Sequence, residues 1–175
     1  MREQNLNQKN IESLLILLES KDDKVRREAR ESLVAMSKQA VSPLSSVLEN
    51  SKVYKARWEA AKALGAIGDS KAIPSLVKAL DDPESDVAWL AAEALKKFRK
   101  AAWPELLRAL VNQGTDSALL RHGAHHIFRK QKEDGFNFLL SDLRKALASN
   151  SVPESTPLAA YKFLKSMNEH PEYEY

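Results

Sequence analysis

The 175-residue sequence contains no cysteine. Disulfides, thiolate metal sites, CxxC redox chemistry and a cysteine nucleophile are therefore excluded. Glycine is scarce too. The five present (Gly65, Gly68, Gly114, Gly123 and Gly135) space neither as GxGxxG nor as a Walker loop, so the common phosphate cradles are missing. Neither sign of charge dominates: 27 Lys and Arg face 24 Asp and Glu, and the formal net charge of +3 is small for a nucleic-acid-binding domain. No apolar run approaches the ~18 residues of a membrane span, and the opening MREQNLNQKN is too polar for a signal peptide. Residues that favour strands are also few, with 9 Val and 5 Ile against 23 Ala and 24 Leu. What remains is the expectation of a soluble, cytoplasmic, all-α chain.

What is present is a repeat. VRREARESL (Val25–Leu33) is followed 31 residues later by ARWEAAKAL (Ala56–Leu64), and after another 31 by VAWLAAEAL (Val87–Leu95). A looser copy, LRHGAHHIF (Leu120–Phe128), comes after a two-residue insertion. A second element alternates with the first: AVSPLSSVL (Ala40–Leu48), AIPSLVKAL (Ala72–Leu80), AWPELLRAL (Ala102–Leu110) and, more freely, FLLSDLRKAL (Phe138–Leu147). IESLLILL (Ile11–Leu18) aligns with Ile73–Leu80 without gaps, and PLAAYKFLKSM (Pro157–Met167) is similar to the first kind of helix. A period in this range signals stacked supersecondary units, each burying its apolar face on the next. The spacing predicts ten helices. Asp82-Pro83 and Thr156-Pro157 are expected to open helices, Pro74 and Pro104 fit a first turn, and Gly65 and Gly68 fit a helix end.

Ala56–Leu80 resembles the short HEAT repeat of phycobilisome-lyase-type proteins, with a first helix VRxxAAxALGxIGD and a second AxPxLxxAL. The resemblance implies a right-handed α-solenoid of four to five helix pairs over residues 1–168, with residues 169–175 a flexible tail. It implies that first-type helices line the concave face, and it implies no activity.

With the first residue of each first-type segment numbered zero, positions 0, 4, 7 and 8 share one packed face of the helix. Position 2 lies opposite and holds Arg27, Trp58, Trp89 and His122. Position 6 adds Lys62, Glu93 and His126, and Tyr54 precedes the Trp58 helix on a nearby bearing. Outward tryptophans at repeat spacing point to partner recognition, because Trp is enriched at binding hot spots. Trp103, aligned with Val41 and Ile73, reads as core. Arg26, Arg57 and Arg121 at position 1 read as structural forks to loop carboxylates such as Asp69 or to helix ends. Lys96–Lys100 and Arg129–Lys132 complement helix C-termini.

His122 and His126, one turn apart, could chelate an ion with Glu93 as a third ligand, but the HExxH context that gives such pairs specificity is missing, and no metal is assigned. The functional expectation is a non-catalytic protein- or peptide-binding scaffold with no cofactor. The alternatives are a bilin lyase-like or chaperone-like protein gripping a planar ligand, or a DNA-binding glycosylase using Glu59, Asp86 or Glu93. The mixed charge around the tryptophans disfavours nucleic acid. The polar ends neither require nor forbid a dimer.

Overall fold

The computed structural model describes residues 2–149 and 154–169, with side chains from residue 10 onward. Ten α-helices occupy the described residues: α1 (Arg2–Leu17), α2 (Asp23–Ala35), α3 (Lys38–Asn50), α4 (Tyr54–Ile67), α5 (Ile73–Lys78), α6 (Ser85–Phe98), α7 (Trp103–Gln113), α8 (Ala118–Phe128), α9 (Asn137–Ala148) and α10 (Ser155–Glu169). None is long and apolar enough to cross a membrane. Of the expected tail, Glu169 ends α10 and the rest lies outside the described residues.

The helices form two layers. First-type helices stack in the order α2, α4, α6, α8, and second-type helices in the order α1, α3, α5, α7. The result is an α-solenoid of several helix pairs. The first-type layer packs more closely than the second. Its interior is Ala29, Ala60, Ala61, Ala63, Ala91, Ala92, Ala94 and Ala124, all buried. A Cβ at Gly65 would lie 2.8 Å from that of Ala94, so α4 and α6 touch almost backbone to backbone. The second layer is held apart by Leu44, Leu48, Leu76, Leu80, Leu106 and Leu110. Small side chains thus bring the first-type helices together, and large ones hold the second-type helices apart.

The repeat imposes a backbone demand as well. The turn after each of the first three first-type helices needs a positive φ, at Ser37 (53°), Gly68 (70°) and Arg99 (50°). Only the middle copy meets the demand with glycine, which lacks the Cβ that makes this region costly.

Arginines at position 1 bond a loop carboxylate and helix-end carbonyls, as expected, but the carboxylate is Asp82 rather than Asp69. Arg57 makes a two-pronged fork to Asp82 (2.7 and 2.9 Å) and donates a third bond to the Ser51 carbonyl at 2.9 Å. Asp82 therefore does not cap α6. It accepts the Glu84 amide and ties two repeats together, and α6 begins only at Ser85. Asp69 instead accepts the Lys71 amide at 2.9 Å. The hydrogen bond to Asp82 raises the Arg57 pKa further, so the fork stays charged. Arg26 bonds the Ser20 carbonyl and Asp23, and Arg121 bonds the Gly114 and Thr115 carbonyls.

The end of the stack departs from the pattern. Continuing the alternation would set α9 on α7 and α10 on α8. The layers cross instead, so that α10 packs on α7 and α9 packs on α8. Phe163 of α10 explains the exchange. Its ring lies 5.5 Å from Trp103, 5.5 Å from Phe136 and 6.5 Å from Phe128, closing the core with an aromatic cluster. Thr156, expected as a cap, is buried within α10 and donates to the Ala146 carbonyl of α9.

Two outcomes follow for chemical denaturation. Phe163→Ala, which empties the centre of that cluster, is expected to lower stability by about 3–5 kcal/mol. Arg99→Gly is expected to raise it by about 1 kcal/mol, because it relieves a strained φ at a small entropic cost.

Candidate functional site

The position-2 residues do not share one environment. Trp58 is half-buried against the core, with the Lys62 ammonium 4.6 Å above its ring. Trp89 is 54% exposed, and its indole lies 4.3 Å from the His126 ring, centroid to centroid. Arg27 and His122 are exposed, as is Tyr54. Arg27, Tyr54, Trp58 and Lys62 lie on α2 and α4, whereas Trp89, Glu93, His122 and His126 come together between α6 and α8.

His126 needs correcting. Expected on the outward ladder, it is only 8% exposed. The physical reason is the neighbouring helix: Trp89 covers its ring, and Glu93 takes its Nε2 at 2.5 Å. Lys96 donates to the same Glu93 oxygen at 2.8 Å and sits 3.3 Å from the imidazole nitrogen. Trp89, Glu93 and Lys96 are spaced one helical turn apart, so a single stripe of α6 meets α8 through one histidine. Lys96, then His126, holds the Glu93 carboxyl below its ordinary value. An ammonium so close to the imidazole opposes a second cation there, and no group of His, Asp and Glu among the described residues is arranged to hold a metal ion.

Beside the stripe opens a cavity of about 200 Å³. Leu80, Ala88, Ala92 and Gly123 lie beneath it, and Trp89, Leu119 and His122 stand around its mouth. It owes its existence to two irregularities in the repeat. Position 1, Arg in the other three copies, is Ala88 here. Gly123 lets α8 approach Leu80, for a Cβ there would lie 3.0 Å from the leucine Cδ2. Leu119, 47% exposed, adds apolar surface that the helix-face reading missed. The only sequence signals were the missing arginine and a glycine inside a helix.

The carboxylates considered for catalysis fare differently. Glu59 is 4% exposed and accepts from Arg30 of α2 at 2.8 Å, with Arg26 at 3.9 Å, so it is a structural anion inaccessible to a substrate. Glu93 is tied to Lys96 and His126. Asp86 is exposed in the first turn of α6.

His125 gives the site region its pH response. Burial, then the charges of His122, Arg129 and His126, lower its pKa below the ordinary 6.5. Its neutral form is thus favoured by folding. The associated stability is complete above the unfolded value and falls as pH drops through the lowered folded one. Thermal unfolding followed between about pH 7.5 and pH 5 is expected to show a decline that His125→Gln flattens.

A family model for HEAT repeats matches residues 11–96 and 41–126. Two proteins named phycocyanobilin lyase subunit alpha are similar. That of Nostoc sp. (strain PCC 7120) is 28% identical over 104 residues, covering 59% of this chain and 36% of the relative. That of Picosynechococcus sp. (strain PCC 7002) is 27% identical over 112 residues, covering 64% of this chain and 40% of the relative. The chain thus spans between about a third and two fifths of the length of these curated relatives. No solved structure matches it significantly. Repeat period, two-layer stacking and the family match over most of the chain agree, and the protein belongs to the HEAT-repeat family.

Proposed function

We propose that the chain is a non-catalytic scaffold that holds a protein or peptide partner on its first-type face, with one apolar side chain of the partner anchored in the cavity beside Trp89. The size of that cavity carries the reading. About 200 Å³ is too little for an enclosed small molecule, whose sites run to roughly 300–1,000 Å³, but it suits a single side chain. The surroundings agree with such an anchor point: an indole and Leu119 at the rim, and the Glu93–Lys96–His126 network beside it. Binding hot spots combine an aromatic anchor with a ring of contacts that excludes water. Stacked repeats supply the extended surface on which a partner's flanking residues lie.

A second reading rests on the relatives' name. A planar tetrapyrrole could stack on the open face of Trp89 without entering the cavity, in a bilin lyase-like or chaperone-like role. The glycosylase reading loses two of its three carboxylates to ion pairs and gains nothing from the charge balance.

Selection from a random peptide library on the immobilised chain tests the first reading. Enriched peptides are expected to share one Leu, Phe or Met. Trp89→Ala, or Ala88→Leu to fill the cavity, is expected to weaken them by about thirtyfold or more, equivalent to ~2 kcal/mol, while Trp58→Ala changes affinity little. Undiminished binding by Trp89→Ala would sink this reading. Saturable binding of free phycocyanobilin, lost in Trp89→Ala but kept in Ala88→Leu, would establish the second in its place.

A further inference from the structure

A second cavity lies between α8 and the end of α9, one groove along from the cavity beside Trp89. Its volume is about 310 Å³, and it is lined by Ala118, Arg121, His122, His125, Leu147 and Ala148. The two cavities share a wall, since His122 borders both. The titratable side chains of the second are one guanidinium and two imidazoles, with no carboxylate among the lining residues.

These groups have no anion to answer them. Arg121 is held by two bonds from one nitrogen, Nη1, to the carbonyls of Gly114 and Thr115 in the turn before α8, each 2.8 Å. Its Nε and Nη2 have no acceptor among the described residues. Burial aside, every charge that acts on His125 is that of a cation: His122, Arg129 and His126. The acids nearest in sequence, Asp116 and Glu154, are exposed and border neither cavity. Part-buried cations elsewhere in the stack are paired, Arg30 with Glu59, Arg57 with Asp82 and Lys100 with Glu133. Position 1 makes the contrast direct. Arg57 gives its fork to a carboxylate, whereas Arg121 in the last copy meets only carbonyls. A guanidinium can take both oxygens of a carboxylate side by side, and even a neutral imidazole has one N–H to donate.

We propose that this cavity is an anion subsite of the partner-binding face, taking the carboxylate of an Asp or Glu about three positions along the partner from its apolar anchor. The spacing follows from the fold. The cavities occupy successive grooves on either side of α8, so they lie roughly one helix spacing apart, about 8–10 Å. An extended chain advances about 3.3 Å per residue. The proposal rests on the anchor reading for its partner, but the pocket and its charge do not depend on it.

Inorganic phosphate, titrated at constant ionic strength, probes the pocket without any peptide. The His125 Cε1 proton resonance is expected to shift saturably in the wild type and far less in Arg121→Gln. His122→Gln, at an exposed position, serves as a second variant that leaves the turn before α8 intact, and it is expected to weaken the response. Absence of a saturable shift, or an equal one in both variants, overturns the proposal.

Peptides selected on the chain test the occupant. They are expected to carry an acid about three positions from the apolar residue. Exchanging that acid for its amide is expected to weaken binding about tenfold in the wild type and little in Arg121→Gln or His122→Gln. If Trp89→Ala weakens binding while the exchange changes nothing, this inference fails and the anchor reading stands. If the exchange still counts but Trp89→Ala has no effect, the anchor reading fails and the anion subsite stands.

Discussion

Everything in this molecule depends on how closely the first-type helices approach one another. No single helix pair here can bury its apolar face by itself, so each buries it on the next. The near-backbone contact of Gly65 with Ala94 is possible only because both sides are reduced to a methyl group or less. Larger residues separate the second layer. The Arg57–Asp82 fork then links one repeat to the following loop.

The same closeness explains the site. Where the repeat is regular, outward positions are occupied by long side chains that lie back on their own helix, as Lys62 does over Trp58. Between α6 and α8 the regularity fails twice. Ala88 removes an arginine and Gly123 draws α8 inward, so the space beside Trp89 remains open while its indole rests on His126. A functional surface thus arises from departures from the repeat, on a frame that the repeat keeps rigid.

The fold was legible because helical periodicity and repeat spacing are local quantities. Buried Ala56, Ala60, Ala63 and Leu64 were readable from positions 0, 4, 7 and 8 of one segment, and Trp103 from its alignment with Val41 and Ile73. The site was legible only in part. Trp89, Glu93 and His122 were found because they share the outward side of their helices. The burial of His126, the cavity beneath Ala88 and the crossing of α9 and α10 were not, since each depends on which neighbour lies across a helix face.

By itself, the sequence determined which side of each helix is packed, because a side chain's bearing about its own axis follows from 3.6 residues per turn. Only the tertiary structure decided what the opposite side meets. Trp58 and Trp89 occupy the same position in adjacent repeats, yet one is half-buried under a lysine and the other stands exposed on a histidine from the next helix. Likewise Phe163 read as one more apolar residue of a first-type helix, until its contacts with Trp103, Phe128 and Phe136 carried α10 into the other layer. Packing across helices is a property of pairs of surfaces, and a repeat pattern specifies only one surface at a time.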